Sequence, residues 1–590
     1  MCGIIGYVGN SNTKNILLDI LSSLEYRGYD SSGIGLINDN QIQLFKEIGK
    51  LNNLKLSLTN LNIKSKIGLG HTRWATHGKP SLENAHPHIS SNKRIILVHN
   101  GIIDNYLEIK QELEKNNVSF YGKTDSEVIV KYIEYRYQNN PYDILFELTY
   151  KLKGSYALGI IFLDYPNQIF FIKNSSPLLL GLGQNEMFLS SDYSSLEKYT
   201  NKIIFLNDLE YGSISKDNYE IYKNKKKQDK EIKELNKHDS LEESIHTTFL
   251  EKEIHETSDT VKNILSRYIK DNDINFSSHP FISKINQLNK INILGCGSSY
   301  NVGLIGKYLF EKLASIPTEV HLASEYIYYS KLKDTNSLNI FISQSGETAD
   351  LLNCVPLIDE LKIGILNVKY SSLSFKMDDN LFLECGKEVS VATTKAYIGQ
   401  LTFLYLLSLY IGYQNKTISL DVYQKYILEL INIPSKINYV LNNHQNVITF
   451  SNTLKDYNNV FFIGRGLSYL SCIEGSLKLK EVTYIHSEAI ASGELKHGTI
   501  SLIDENVYVI ALTSSLKEKT LSNIEEIKAR NGKVFTISNT NSSYNIPSTL
   551  DIFYPLLEII PLQLLALYTG LNKKLDIDKP RNLAKSVTVE

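Results

Sequence analysis

Neither sign of charge dominates this sequence. Its 62 Lys and Arg stand against 64 Asp and Glu, so no global field favours nucleic acid, an anionic membrane or a polycationic partner. Cysteine is sparse. Cys2, Cys296, Cys354, Cys385 and Cys472 are five in number, widely spread and without a C-x-x-C pair. That pattern fits free thiols in a reducing cytosol better than a disulfide framework or a cysteine-rich zinc site, and it predicts a cytoplasmic protein. No basic segment leads into an apolar one near the N-terminus, so no signal peptide is expected. Long apolar runs are missing too. LTFLYLLSLYIGY from Leu401 and PLLEIIPLQLLALYTGL from Pro555 contain tyrosines or a glutamate and fall short of the about 20 apolar residues that a bilayer span takes. Both are expected to be buried core helices.

Several ligand signatures are absent. There is no Walker A lysine, and GCGSSY at 295 lacks the third glycine and the later acidic residue of a dinucleotide fingerprint. No H-E-x-x-H pair accompanies the histidines, so no metal and no cofactor is expected.

At 590 residues the chain exceeds what one core supports, and about two to four domains are predicted. The first 220 residues mix alternating strand-like runs (GIIGYVG, RIILVHNG, YALGIIFLD, QIFFIKN) with two helices, NTKNILLDILSSLEY and NYLEIKQELEKNN, an α+β pattern with antiparallel sheets. KNKKKQDKEIKELNKHDS, from 223, carries few large apolar residues and reads as an exposed linker or a solvated helix face. Beyond it, apolar runs followed by long helices mark parallel α/β units. These repeat. INILGCGSSY at 291 matches VFFIGRGLSY at 460, and the same offset of 169 residues sets IFISQSGET at 340 on VIALTSSLK at 509, which predicts a duplicated α/β domain.

Three turns of the first repeat are rich in small hydroxyls: Ser298 and Ser299; Ser343, Gln344, Ser345 and Thr348; and Thr393 and Thr394. Glycine admits close backbone approach, helix N-termini attract anions, and hydroxyls add donors without bulk. One such turn is more often a helix cap, but three in one repeat point to a phosphate monoester. The second repeat has Ser515 and Leu516 where the first has Gly346 and Glu347, so a single phosphate site is predicted.

The N-terminal half concentrates His71, His77, His86, His88 and His99 around the only tryptophan, Trp74. An organic-ligand loop is the more economical reading than a metal site. Arg73 can fork onto a carboxylate and Asp125 can hold an ammonium, which together would read the two charged ends of a free amino acid.

M-C-G-I-I-G, followed in order by LEYRGYDSSG, GHTRWATHG, VHNGIIDN and TDSEV, resembles the class II glutamine amidotransferase domain, an N-terminal nucleophile hydrolase with an αββα sandwich. GCGSSYN, SQSGETAD, SVATTKA, LKLKEVTYIHSEA, GELKHG and RNLAKSVTVE resemble paired sugar-isomerase (SIS) domains, doubly wound α/β parallel sheets. Together they span essentially the whole chain and resemble the isomerising glutamine:fructose-6-phosphate aminotransferase family. The resemblance implies a glutaminase at 1–222, a linker at 223–245, a first SIS domain at 246–440 and a second, with a catalytic tail, at 441–590.

It also implies roles. Removal of Met1 makes Cys2 the nucleophile with its own α-amine as base, Asn100 and Gly101 supply oxyanion donors, Arg73, Thr76, His77 and Asp125 hold L-glutamine, and Trp74 gates the two sites. Val391, Thr393 and Ala584 join the hydroxyl turns around fructose 6-phosphate; His497 opens the ring, Lys585 forms an imine at C2, Glu481 shuttles the proton between C1 and C2, and Lys478 is a supporting cation. By the same analogy the protein is a homodimer with His497 contributed across the interface. Thr393 departs from the family's usual serine, and no regulatory insertion interrupts the glutaminase half. A phosphoribosyl amidotransferase would need paired acidic residues and a diphosphate loop, and the sequence has neither.

Overall fold

A computed structural model describes residues 2–75, 77–235, 246–329 and 335–588. The chain divides into two compact units, residues 1–241 with 586–590 and residues 242–585.

The first unit is built on two antiparallel sheets of eight and seven strands. Alternation decides its layers. In the strand Gly3–Gly9, Ile4 and Val8 face the second sheet, where they meet Val98 and Ala157, while Ile5 and Tyr7 pack under the helix Thr13–Leu24. The second sheet sends Leu97, Leu158 and Phe162 the other way, against the helices Tyr106–Lys115, Asp125–Arg136 and Pro141–Lys151. The result is the αββα sandwich. Two of those helices are additions to the sequence reading, although T-D-S-E held an N-terminal signal: the Thr124 hydroxyl accepts from the Glu127 N–H at 3.1 Å.

The expected linker is corrected over its first half. Tyr219–Lys223 pairs with Lys226–Lys227 through a two-residue turn in which Asn224 and Lys225 both have positive φ, 51° and 62°, the geometry of a tight hairpin. Lys233–Glu234 then pairs with Lys202–Ile203. Edge strands bury little, so their composition imitates a linker. Residues 236–245 lie outside the described residues.

The second unit holds two five-stranded parallel sheets of one topology. In the first, Lys290–Gly295 lies between Thr318–Leu322 and Ser337–Ser343, followed outward by Leu361–Leu366 and Asp379–Phe382. In the second, Asn459–Gly464 lies between His486–Ala491 and Tyr508–Leu512, followed by Lys533–Ser538 and Tyr544–Asn545. Gly297 and Gly466 precede the equivalent helices with the same backbone, φ 54° and ψ −128°, a region open only to glycine. The duplication is therefore visible to the torsion angle.

The halves share one core. Leu401 and Leu404 of the helix Lys395–Gln414 and Leu562 and Leu565 of Tyr554–Asn572 belong to the same apolar cluster as Ile293 and Leu479. Position 440, expected as a boundary, falls inside the helix Leu420–Asn442. Two helical stretches, Lys395–Gln414 and Asp551–Asn572, are long and apolar enough to cross a membrane, but 89% and 94% of their most apolar windows are buried in the protein. One of their buried polar groups is matched inside it: Glu558 accepts from Ser468 Oγ at 2.7 Å.

Candidate functional site

Two constellations form, one in each unit. In the first, Gly3 pairs with Thr72 on the neighbouring strand Ile67–Arg73, so Cys2 lies beside Arg73 and Trp74. The Trp74 N–H donates to Cys2 Sγ at 3.3 Å. The strand Ile95–Ile103 of the other sheet brings Asn100, whose Nδ2 donates to the Cys2 carbonyl at 3.0 Å. Burial pushes the Cys2 thiol up, against the pull of the Trp74 N–H and the Arg73 guanidinium, so the thiol needs a base to act as a nucleophile.

Gly101 has φ 129°, and a β-carbon there would fall 1.9 Å from the Ser155 carbonyl oxygen. Arg73 is buried, donates through Nη2 to the carbonyls of His77 and Gly78 at 2.5 and 3.0 Å, and leaves Nη1 without a protein partner. Asp125 opens the helix Asp125–Arg136 and is held by the N–H groups of Ile103 and Ser126 at 3.0 and 2.9 Å. Cys2, Arg73, Trp74, His77, Gly101 and Asp125 line one cavity. A carboxylate and an ammonium could both be read there, beside a thiol. Thr76 lies outside the described residues.

The remaining histidines pack rather than coordinate. His88 is held by Tyr121 and Thr124, each at 3.0 Å, and its ring lies edge-on to His86, which stacks on His71. Burial pushes His71 down to about 3, so it is neutral. Its Nε2 lies 2.9 Å from the His99 carbonyl and 3.1 Å from Asn100 Oδ1; as the N–H tautomer it orients the Asn100 amide so that Nδ2 faces Cys2. The sequence reading missed this function of His71, which only the packing of strands from two sheets against each other creates.

The second constellation gathers at the carboxyl ends of parallel strands, where open α/β sheets bind ligands. Ser298 and Ser299 start the helix Ser298–Leu309, and Ser299 Oγ donates to Gln400 Oε1 at 3.3 Å. After the strand Ser337–Ser343, the hydroxyls of Ser343 and Ser345 accept from the N–H groups of Gly346 and Glu347 at 3.0 and 3.1 Å, and Ser343 meets Thr348 at 3.2 Å. Gln344 and Thr348 belong to the same turn. Thr393 and Thr394 precede the helix Lys395–Gln414.

Glu388, which the sequence reading did not single out, organises that third turn. One oxygen accepts from the Thr394 and Ala396 N–H groups at 2.9 and 3.1 Å; the other accepts from Thr393 Oγ1 at 2.6 Å and from Lys585 Nζ at 2.5 Å. The segment before Lys585 is fixed in the same unit: the Val391 N–H donates to the Asp578 carbonyl at 3.0 Å, and the Arg581 N–H donates to Tyr484 Oη at 2.7 Å. Ala584 is half-buried beside Lys585.

On the helix Leu467–Thr483, Lys478 reaches Glu481 at 2.6 Å and Glu474 at 3.4 Å. Burial alone would lower the Lys478 ammonium, but the two carboxylates hold it well above its usual range. Glu474 also accepts from Asn301 Nδ2 at 2.8 Å, tying the second repeat's helix to the first repeat's turn. His497 ends the short helical turn Glu494–His497 and is exposed. Among the described residues it hydrogen-bonds to no other member of the constellation.

One further group could in principle hold a metal: ligand atoms of His246, Glu251 and His255 lie within 4.8 Å of one another. The two imidazoles are stacked 4.5 Å apart at 24°, which aims their in-plane lone pairs side by side rather than at a common point.

Family models match both regions: a glutamine amidotransferase domain over residues 71–198 and a SIS domain over 284–410 and 453–554. The chain is 41% identical to the glutamine–fructose-6-phosphate aminotransferase (isomerizing) of Clostridium tetani and 39% identical to that of Aquifex aeolicus, covering all of both chains in each case. Its second part is similar to the solved C-terminal domain of the glucosamine-fructose-6-phosphate aminotransferase of Francisella tularensis. That match has a TM-score of 0.55 and 35% identity, over 57% of this chain and 99% of that one.

Proposed function

We propose, because this chain belongs to the glutamine–fructose-6-phosphate aminotransferase (isomerizing) family, how its residues divide the family's reaction. The protein transfers the amide nitrogen of L-glutamine to D-fructose 6-phosphate with isomerisation, giving D-glucosamine 6-phosphate and L-glutamate. In the first unit, loss of Met1 frees the Cys2 α-amine, which takes the thiol proton. The thiolate attacks the glutamine amide carbon, and a γ-glutamyl thioester forms as ammonia leaves. Asn100 Nδ2 and the Gly101 N–H stabilise the oxyanion, the unpartnered Arg73 Nη1 takes the substrate's α-carboxylate and Asp125 its ammonium, with Thr76 and His77 closing the loop and Trp74 as gate.

In the second unit the hydroxyls of Ser298, Ser299, Ser343, Ser345, Thr348 and Thr393 take the phosphate and sugar, with Gln344, Val391 and Ala584 completing the pocket. Lys585 forms the imine at C2, Glu481 moves the proton between C1 and C2, and Lys478, held between two carboxylates, supplies a fixed positive charge beside it. The exposure of His497 supports its contribution across a cytoplasmic homodimer, where it opens the sugar ring.

The observation that carries this reading is Cys2, whose thiol accepts from the Trp74 N–H and whose carbonyl accepts from the Asn100 amide, in a cavity that also contains Arg73 and Asp125. Purified protein given glutamine and fructose 6-phosphate is expected to release glutamate and glucosamine 6-phosphate in equal amounts; glutamate without amino sugar overturns the assignment of the second unit. Gly101→Ala tests the oxyanion site. Its β-carbon cannot clear Ser155, the peptide must turn, and glutamate release should fall on the order of 100-fold. An unchanged rate would remove Gly101 from the site.

A further inference from the structure

Glu388 does more than cap a turn. Its side chain is fully enclosed, that of Lys585 is 3% exposed, and the two meet at 2.5 Å. A second carboxyl group lies beside them. Glu253 accepts from the N–H groups of Val389 and Ser390 through one oxygen and leaves the other buried without a partner. Lys395, itself buried, is paired with Glu256 at 2.5 Å, and the half-buried thiol of Cys385 completes the titratable surroundings.

We propose that Glu388 is the base that takes the proton of Lys585, so that the amine can attack the ketose, and that returns it when water leaves. The inference rests on the reading of Lys585 as the imine-forming residue. As found, Lys585 carries its proton in an ion pair and has no lone pair to offer. Transfer to Glu388 breaks an Nζ–H bond and forms an O–H bond. The electron pair left on Nζ then bonds C2 of the open-chain sugar as the carbonyl π pair moves to oxygen. That oxygen takes one proton from the attacking nitrogen and the other from Glu388 and departs as water, leaving one hydrogen on Nζ. The product is a protonated imine facing a carboxylate, so the sum is ammonium plus ketone to iminium plus water.

Charge balance permits this route, with the ion pair as the resting state. Burial and the neighbouring Glu388 push Glu253 up to about 8, keeping it protonated at neutral pH, whereas burial would raise Glu388 but Lys585 holds it down to about 2. Beside the Lys395–Glu256 pair, the pocket thus holds one carboxylate, one carboxylic acid and the Lys585 ammonium. Moving a proton from Lys585 to Glu388 leaves its net charge unchanged and strands no ion in a medium where an unpaired charge is severely penalised. The hydrogen bonds to Thr393, Thr394 and Ala396 keep Glu388 in place throughout.

The test is borohydride trapping of the enzyme with fructose 6-phosphate, read by mass spectrometry at Lys585, on wild type, Glu388→Gln and Glu388→Asp. Glutamine keeps the size and an acceptor oxygen but cannot take the proton. E388Q should bind fructose 6-phosphate within about threefold of wild type yet trap the imine about 100-fold more slowly. E388D should recover at least about tenfold over E388Q. Equal trapping rates in E388Q and wild type, or an E388D no faster than E388Q, overturn the proposal. If E388Q loses sugar binding, E388D alone decides, with trapping above about a tenth of the wild-type rate in favour and below it against. Failure of the Lys585 reading is separable, because the wild type would then trap no label at Lys585.

Discussion

Cys2→Ala should abolish glutamine-dependent synthesis, with glutamate release falling by about 10⁴-fold or more, because the substitution removes the only atom that can form the thioester. The geometry predicts a narrow defect. Alanine keeps the backbone contact in which Asn100 donates to the residue 2 carbonyl, so the strand Gly3–Gly9 and its partners should hold, and glutamine should still bind through Arg73 and Asp125. Fructose 6-phosphate isomerisation should persist, since none of its groups lies in the first unit. Assays of glutamate, of amino sugar and of isomerisation on one preparation separate these effects. Loss of all three would show that the residue is needed for folding and not for chemistry alone.

Lys585→Met should have an equally large effect on the other half, about 10⁴-fold or more in sugar isomerisation and synthesis, while glutamine binding at the first site remains measurable. The loss has two components. The imine cannot form, and a buried carboxylate loses its cation. Leaving one member of a buried pair costs about 3–5 kcal/mol, unless Glu388 takes up a proton. In wild type the Glu388 value is depressed to about 2, so its stabilisation is present above the unfolded carboxylate range and lost as pH falls toward that value. The variant lacks this contribution. Its melting temperature near neutral pH should lie below that of wild type, and the gap should narrow as the solution is acidified. A variant that melts like wild type at every pH would mean that Lys585 does not rest on Glu388 in solution.

What could be read in the sequence was whatever is contiguous. Cys2, the Arg73 loop, Asn100 and Gly101, and the hydroxyl turns each sit in a short run whose chemistry is local, and the 169-residue offset exposed the repeat. The run GIIGYVG read as a strand of an antiparallel sheet. What escaped was set by partners far away in sequence. Glu388 is an unremarked acid in CGKEV until Lys585, nearly two hundred residues later, lies against it. His71 is one of five histidines until a strand from the other sheet brings Asn100 to its Nε2. The hairpin at Asn224 and Lys225 was hidden by lysines, because an edge strand is held by backbone hydrogen bonds that composition does not record.

Gly297 and Gly466 share one backbone conformation, although Leu467 replaces Ser298 at the second turn and Ser468, matching Ser299, is bonded to Glu558. The consequence concerns how tolerance to mutation is interpreted in this protein. Any side chain at Gly466 meets the same torsional penalty as at Gly297, so a screen by growth alone would score both positions as intolerant. At Gly466 that intolerance has a conformational cause, whereas at Gly297 it also bears on the turn proposed to take the sugar phosphate. Only a screen that measures protein abundance alongside activity would separate the working copy from its support.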